Sequence, residues 1–379
     1  MRGSQPQTIR QLNLVTALDM VRRSGHISRA ELARALSLSS PTVSELVAFL
    51  LRHDLVAEHG PGQSNGGRKP MMIEFRASMA HVLGIDIGSE RIVAALADLE
   101  GKIVHEEIVR TPSHRTAVVD AVIAVGRDMA GHVNNPLMGA GVGVPGYCDR
   151  SSGTVIYASN LPGGWRDLAL GPVLEQAWGC PVLLDNDGNL AARGEMHVGT
   201  ATKFRNFVFF ALGRGVGAGV VIDGNVYRGR REMAGEVGLW LAGDASRSLE
   251  DIIGGERWRA VAVDWVGRPD VAAFFDMCRD GHTEAMAEVH RRLEPLCVAL
   301  QNTITLLDPE ALIFGGGLTA SWDVIGPVIH RRLTELAGDH VPEVAVSTLP
   351  QRATLVGAIA DALESFGQSQ HLLAQANVL

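Results

Sequence analysis

The stretch PVLLDNDGNLAARGE, residues 181–195, predicts a strand that runs directly into a helix. An apolar run at 181–184 ends in three polar residues, Asp185, Asn186 and Asp187, after which small apolar residues return at helical spacing. A short oxygen-bearing side chain at such a junction can accept hydrogen bonds from the free N–H groups of the helix, so capping would explain one of the three. Capping does not explain three in succession, and the pattern therefore predicts a site that binds hydroxyl groups.

The length of the chain, 379 residues, predicts two or three domains, because single hydrophobic cores rarely extend beyond about 250–300 residues. No apolar run reaches the roughly 18 residues of a membrane helix, and MRGSQPQTIR lacks the apolar centre of a signal peptide. We therefore expect a cytoplasmic protein without a membrane segment. The four cysteines form no CxxC pair, which argues against a disulfide framework and against a cysteine zinc site.

Charge is divided unevenly along the chain. Residues 1–70 hold nine Arg and Lys against five Asp and Glu, a formal net charge of +4. The remaining residues hold 25 against 37, a formal net charge of −12. A basic segment joined to an acidic body is typical of a DNA-binding module attached to a small-molecule domain.

Residues 1–78 predict that module. An amphipathic helix ends near Ser24, a capping-box pair, Ser28 and Glu31, starts a second helix, and Pro41 opens a third. Two short strands, 55–58 and 71–75, enclose a glycine-rich segment that predicts the wing of a winged helix. The alternative is a three-helix interaction module that carries a glycine-rich loop.

A helix-turn-helix offers the start of its second helix to the major groove, and a basic wing reaches phosphates or the minor groove. The segment resembles the winged-helix heads of bacterial repressors. Six residues are predicted to contact DNA, the first four at base edges and the last two through the wing: Ser39, Ser40, Thr42, Ser44, Arg68 and Lys69.

The remainder resembles the ROK family, whose sugar kinases and sugar-responsive repressors share one fold. Seven segments occur in the order of the family's markers, over roughly residues 79–365: GIDIG, GVPGYCDRSSG, NLPGGW, LDNDGNLAARGE, GVGAGVVIDGNVYRG, AGEVG and IFGGGL. The resemblance implies an α/β fold, the actin-like ATPase (ribonuclease H-like) body of two lobes with a sugar cleft between them. We predict a head at 1–78, a first lobe at 79–200 completed by a C-terminal helix at 353–379, and a second lobe at 201–352.

The resemblance also implies the sugar contacts, Asn186, Asp187, Glu236 and Glu250, with Asp187 as the general base if the protein is a kinase. A carboxylate beside an amide supplies the acceptor and the donor that neighbouring sugar hydroxyls need. For Glu250 the alternative is the first turn of an exposed helix.

Two departures from the family pattern concern ATP. The segment DIGSER replaces the DIGGTK of family kinases, which puts Glu90 beside the triphosphate, and GRGVG replaces GTGVG, which puts Arg214 where a threonine hydroxyl would face phosphate. Asp86, at the first of these turns, belongs either to a phosphate site or to a plain hairpin turn. Together the changes predict a lost or weak ATP site.

The positions of the family's structural zinc hold no suitable ligands, because Leu239 replaces the histidine and Leu241, Gly243 and Ser248 replace the three cysteines. We expect no zinc, no other metal and no cofactor. The same histidine helps family members to hold the sugar, so its loss leaves the identity of the ligand open.

These features predict a DNA-binding transcriptional regulator, a repressor, that is controlled by a sugar or a sugar derivative and is not an enzyme. The alternatives are an ATP-dependent sugar kinase with an accessory DNA-binding head, and a regulator that answers to a protein partner. Operator recognition by winged helices generally relies on symmetry, so a homodimer or homotetramer is expected.

Overall fold

Three helices and a three-stranded antiparallel sheet form the head in a computed structural model that describes residues 6–61, 69–242 and 246–375. The capping box of Ser28 and Glu31 is confirmed, and Ser39 caps the third helix, which begins at Ser40 with Pro41 in its first turn. Strand β1 was not predicted from the sequence, because three residues are too few to show an alternating pattern. The elements are α1 Pro6–Ser24, β1 His26–Ser28, α2 Arg29–Leu36, α3 Ser40–Arg52, β2 Val56–Pro61 and β3 Met71–Phe75.

The first lobe is built on a five-stranded sheet. Its elements are β4 His81–Ile87, β5 Arg91–Asp98, β6 Ile103–Arg110, α4 Arg115–Gly131, β7 Leu137–Val144, β8 Tyr147–Asp149, β9 Thr154–Ala158, β10 Trp165–Leu168, α5 Leu170–Trp178, β11 Val182–Asn186 and α6 Asp187–Val198. The strand order is β11-β7-β4-β5-β6, in which β7 and β11 run parallel to β4 while β5 and β6 form antiparallel hairpins. Strands β8 to β10 form a small separate sheet. Central strands β4 and β7 are apolar nearly throughout because both faces of the sheet are covered.

The second lobe repeats this plan and adds a helical layer. Its elements are β12 Phe207–Leu212, β13 Val216–Ile222, β14 Asn225–Val226, β15 Leu241–Ala242, β16 Arg247–Ser248, α7 Leu249–Ile253, α8 Gly255–Val266, α9 Val271–Arg279, α10 Thr283–Leu307, β17 Ala311–Gly315, α11 Trp322–Ala337 and β18 Glu343–Val346. The sheet order is β14-β13-β12-β17-β18. Buried aromatic residues of α8 and α9, among them Trp258, Phe274 and Phe275, pack in one core with Phe210 and Phe314 of the sheet.

The chain then returns to the first lobe through α12 Ala353–Phe366 and α13 Ser369–Gln375. The prediction of one helix over 353–379 is therefore wrong, because α12 ends before Gly367 and a second helix begins at Ser369. Helix α12 lies directly on α6: a Cβ added to Gly357 would stand 1.7 Å from the Leu190 carbonyl oxygen, and one added to Gly194 would stand 2.3 Å from the Ala353 carbonyl oxygen. The two backbones are therefore in contact, and a displacement of α6 must displace α12 as well.

The head is packed onto the first lobe without an intervening gap in the core. Leu18 of α1 and Ile73 of β3 share one apolar cluster with Val93 of β5, Leu355 of α12 and Leu372 of α13. Packing of this kind allows the arrangement of the body to influence the arrangement of the head.

Candidate functional site

A cavity of about 630 Å³ lies between the two lobes. Its size is that of a small-molecule site. The structure brings all four predicted sugar-binding residues to its wall, two from the first lobe and two from the second: Asn186, Asp187, Glu236 and Glu250.

Asn186 and Asp187 stand where β11 ends and α6 begins. Asn186 is the cap of α6, because its Oδ1 accepts from the backbone N–H of Asn189 at 3.0 Å. Its Nδ2 donates to the Gly146 carbonyl at 3.0 Å and reaches the Oε1 of Glu236 at 3.4 Å. The capping role thus falls to Asn186, and Asp187 contributes its carboxylate to the cavity.

Glu250 lies in the first turn of a short helix, α7, as the alternative interpretation of the sequence has it, but its side chain faces the cavity. Its Oε2 accepts from the backbone N–H of Val216 at 2.9 Å, and a Cβ added to Gly215 would stand 2.6 Å from the same oxygen. The carboxylate therefore holds the second glycine-rich loop in place as well as lining the cavity.

Burial raises the pKa of three carboxyl groups in the cavity. The pKa of Asp86 rises to about 7, first through burial and then through the charge of Asp187. Burial raises the pKa of Asp187 to about 6, and that of Glu236 to about 7 with Asp187 and Glu250 adding to the effect. Near neutral pH such a cluster shares protons, so it offers both hydroxyl donors and carboxylate acceptors to a polyhydroxylated ligand.

Glu236→Gln should change how stability depends on pH. The folded protein holds a proton on Glu236 up to pH about 7, whereas a glutamate in the unfolded chain loses it near its usual value. The wild type therefore loses stability as the pH rises from about 5 to 8, and the variant, which cannot ionise there, should lose roughly 1–3 kcal/mol less. Thermal melts across this range measure the difference. Glu45→Gln, on the exposed side of α3, should keep the slope of the parent, and an unchanged slope in Glu236→Gln would contradict the assignment.

Behind the cavity lies an ion network that sequence reasoning missed. Asp185 is 3% exposed and accepts from Arg228 of the second lobe at 2.6 Å and from Arg150 at 3.3 Å. Arg150 also donates to Asp361 of α12, a residue 2% exposed, at 2.7 and 2.9 Å. The network links β11, α12 and the second lobe, so Asp185 supports the site from behind. In the sequence, only the place of Asp185 in the run of three polar residues indicated that it belongs to the site.

Two ion pairs lie at the predicted phosphate end of the cleft, where Glu90, Arg214 and Arg259 line the cavity. Glu90 pairs with Arg259 of the second lobe at 2.7 Å, which lowers the pKa of Glu90, and Arg214 lies 3.5 Å from Glu256. The sequence argument for a lost or weak ATP site, which rests in part on Glu90, is therefore incomplete, because the Arg259 guanidinium neutralises this carboxylate. A Cβ added to Gly88 would stand 2.7 Å from the Arg91 carbonyl oxygen, so the tight turn alone accounts for this glycine.

The positions of the family zinc do not fit the metal. Leu239 and Leu241 are 58% and 68% exposed hydrocarbon side chains, and the Ser248 hydroxyl is engaged in the capping box of α7 with Asp251. Gly243 lies outside the described residues. These side chains offer none of the nitrogen or thiolate ligands that zinc requires.

The predicted DNA contacts lie at the start of α3 and beside the wing. Ser39, Ser40 and Ser44 are exposed and Thr42 is half-buried. The Ser39 hydroxyl accepts from the backbone N–H of Thr42 at 3.4 Å and contacts its hydroxyl at 2.8 Å, so Ser39 also caps the helix. Lys69 is exposed, whereas Arg68 lies outside the described residues. In the part of the chain that the structure describes, no helix is both long and apolar enough to cross a membrane.

A two-lobed α/β body around an acidic cleft, joined to a winged-helix head, is the architecture of a DNA-binding protein that also binds a small molecule. The chain belongs to the ROK family, whose profile matches residues 82–364. This confirms the resemblance and the predicted fold class.

Individual relatives fall into two groups. The chain is 27% identical over 383 residues to a putative xylose repressor of Caldicellulosiruptor sp., covering 93% of this chain and 95% of that protein. It is 30% identical over 310 residues to a glucokinase of Streptomyces coelicolor, covering 74% of this chain and 96% of that protein.

Solved structures divide in the same way. A ROK family transcriptional regulator, a homologue of the E. coli MLC protein, shares the fold with a TM-score of 0.75 at 21% identity and covers 97% of this chain and 99% of its own. A ROK family glucokinase from Streptomyces griseus, in complex with glucose and AMPPNP, matches with a TM-score of 0.64 at 28% identity and covers 75% of this chain and 99% of its own. Repressor and regulator match with the head included, whereas the glucokinases match about three quarters of the chain.

Proposed function

We propose that this protein is a transcriptional repressor whose head binds operator DNA and whose cleft binds a sugar effector. The observation that carries the proposal is the coincidence, in one chain, of a winged-helix head with the acidic cavity of the body. The repressor relatives span both parts, which supports the same conclusion. We place the protein in the cytoplasm and expect it to act as a homodimer or homotetramer, with no cofactor in the cleft.

The effector class we propose is an uncharged aldose or a derivative of one. Carboxyl groups that share protons, together with the Asn186 amide, match vicinal hydroxyls better than they match an anion. Xylose is the first sugar to test, because several relatives are named xylose repressors.

The coupling route we propose runs from the cavity through α6 and α12 to the head. The Thr354 hydroxyl at the start of α12 donates to the Asp187 carbonyl at 3.2 Å, and the two helices touch backbone to backbone along their contact. Beyond the end of α12, the Gly367 carbonyl accepts from Arg22 of α1 at 2.7 Å. A sugar that prefers one cleft geometry would therefore bias the position of α1 and, with it, the affinity for DNA.

A combined experiment tests the function. The pure protein is incubated with a panel of pentoses and hexoses, with and without ATP, while thermal shift and ADP release are recorded. DNA fragments selected from a random pool then report whether the same sugar changes operator affinity. A sugar that raises the melting temperature and changes DNA affinity without ADP release supports the repressor. ADP release without any selected DNA would support the kinase.

The glucokinase relatives make phosphoryl transfer the second candidate function, with Asp187 as its general base. We expect transfer from ATP to hexoses or xylose to be absent or very slow, because the Glu90 carboxylate lines the phosphate end of the cleft, and Arg214 and Arg259, which line it too, are already paired with carboxylates. A coupled ADP assay, with a ROK glucokinase measured in parallel, checks this. A turnover of about 1 per second or faster, which is in the usual kinase range, would promote the kinase reading.

Replacing Arg68 and Lys69 together by Ala should lower the affinity for all DNA sequences alike. Each residue is proposed to contact a phosphate, so the slope of log affinity against log salt should decrease by up to about one unit for each. Fluorescence anisotropy over a salt series gives the slope. An unchanged slope would remove the wing from the DNA interface.

A further inference from the structure

Two imidazoles and one carboxylate converge on the outer face of the head sheet. Glu74 lies on the central strand β3, His26 lies directly opposite it on β1, and His59 lies on β2. The Glu74 Oε2 is 3.2 Å from the Nε2 of His26 and 2.7 Å from the Nδ1 of His59. Among the described residues, only this trio brings three such ligand atoms within 4.8 Å of one another.

The backbone aims these side chains at one another. His26 and Glu74 are paired residues in the β1–β3 register, so their side chains leave the same face of the sheet. On β2 the register shifts between Glu58 and Pro61, and Gly60 within this bulge has a φ of +87°. Bulges re-aim side chains, and here the His59 ring centroid comes to 4.0 Å from that of His26.

The donor set fits a borderline divalent cation. Two imidazoles and a carboxylate are the three protein ligands of many zinc sites that leave a fourth position to water. In tetrahedral zinc, bonds of about 2.0–2.2 Å place neighbouring ligand atoms about 3.3–3.5 Å apart. The His26–Glu74 separation is already close to this spacing, and His59 needs a shift of only about 0.6 Å to reach it. The side chains are 48%, 53% and 35% exposed, so the ion can reach them from solvent.

We propose that His26, His59 and Glu74 form a zinc(II) site on the head, with water as the fourth ligand. The site joins β1, which leads into α2, to the two strands that flank the wing. Bound zinc fixes the base of the wing against the helix-turn-helix. The site is separate from the zinc positions of the family, which lie in the second lobe. It departs from the expectation of no metal drawn from the sequence, because the three residues belong to no spacing motif.

Zinc binding to the full chain, stripped with EDTA, tests the proposal. Titration against a chromophoric chelator should show one zinc(II) per chain, and cobalt(II) should give the visible absorption of a tetrahedral site. At a hundredfold excess over its Kd, zinc should raise the melting temperature by about 5 °C. His59→Ala and Glu74→Gln should each bind zinc more than about 100-fold more weakly, since loss of a direct ligand costs more than loss of an outer-shell partner.

His132→Ala is the matched control. Its ring lies 3.7 Å from that of His105 and its Nε2 lies 3.3 Å from Asp128, so it is an exposed histidine with a similar setting outside the head. The control should bind zinc as the parent does. The proposal is overturned if the parent binds no zinc, if His59→Ala and Glu74→Gln bind as tightly as the parent, or if His132→Ala loses binding equally. Far-UV circular dichroism and thermal melts without metal confirm that each variant is folded before its zinc affinity is compared with that of the parent.

Discussion

Asp187→Asn is expected to abolish the response to the sugar while leaving a folded protein that binds DNA. Asp187 stands at the start of α6 with its carboxylate in the cavity, where burial raises its pKa to about 6. Asn keeps the volume and one acceptor oxygen but cannot form a carboxylate, so packing is preserved and the acceptor for a ligand hydroxyl is weakened. We expect the affinity for the sugar to fall by about 10- to 150-fold, which corresponds to about 1.5–3 kcal/mol for a hydrogen bond to a charged group, so that the response at a sugar concentration near the parent's Kd is lost.

Two readouts measure the effect: the thermal shift caused by the sugar and the change in operator affinity that it produces. Both should vanish together, because a ligand changes DNA affinity only through its preference for one conformation. Asp120→Asn removes the same charge from the exposed side of α4 and should respond as the parent does. If Asp187→Asn still answers to the sugar like the parent, Asp187 has only a local role at the helix start and the effector site lies elsewhere.

Local patterns in the sequence predicted the elements that carry the site. The segment from His81 predicts three strands joined by tight turns, the apolar run at 207–212 predicts another strand, and the structure has β4 to β6 and β12 at these places. The strand and helix at 182–198 and the start of α12 also lie where the sequence predicts them. These segments are apolar enough, and bounded clearly enough, for neighbouring residues alone to fix their structure. The helices between Gly255 and Asp308 were predicted only in part. The sequence predicts a long helix over 291–307, whereas α10 begins at Thr283, and α8 and α9 were not predicted.

What the sequence could not show are pairings between distant segments. Glu90 meets Arg259, and Asp185 meets Arg228, only after the two lobes are folded against each other. No motif links such residues, and nothing in the sequence identifies Arg259 and Arg228 as the partners of Glu90 and Asp185. The cap of α6 could not be assigned from the sequence for another reason. Asn186 and Asp187 both suit the N-cap position, and only the backbone geometry shows that Asn186 occupies it.

Arg22→Ala is expected to separate sugar binding from DNA binding. Arg22 of α1 hydrogen-bonds to the body, because it donates to the Gly367 carbonyl at 2.7 Å and to the Leu99 carbonyl at 3.2 Å, while its guanidinium lies 4.7 Å from the centre of the Phe75 ring of the head. If the state of the cleft reaches the head through this contact, the variant should bind the sugar as the parent does, while the sugar loses its effect on operator affinity. Effects of this kind are typically 5- to 150-fold, and the ratio of the two operator Kd values should fall toward one.

The measurement is the operator Kd with and without a saturating concentration of the sugar, together with the Kd of the sugar itself. Arg23→Ala is the control, because Arg23 is the next residue of the same helix and is exposed. Loss of two hydrogen bonds to carbonyl groups should also cost about 1–3 kcal/mol of stability, so Arg22→Gln is measured beside Arg22→Ala as the less disruptive variant. If the sugar still changes operator affinity in both Arg22 variants, the head senses the cleft by another path. If this effect is lost in both Arg22 variants and kept in Arg23→Ala, the coupling runs through the contact between α1 and the end of α12.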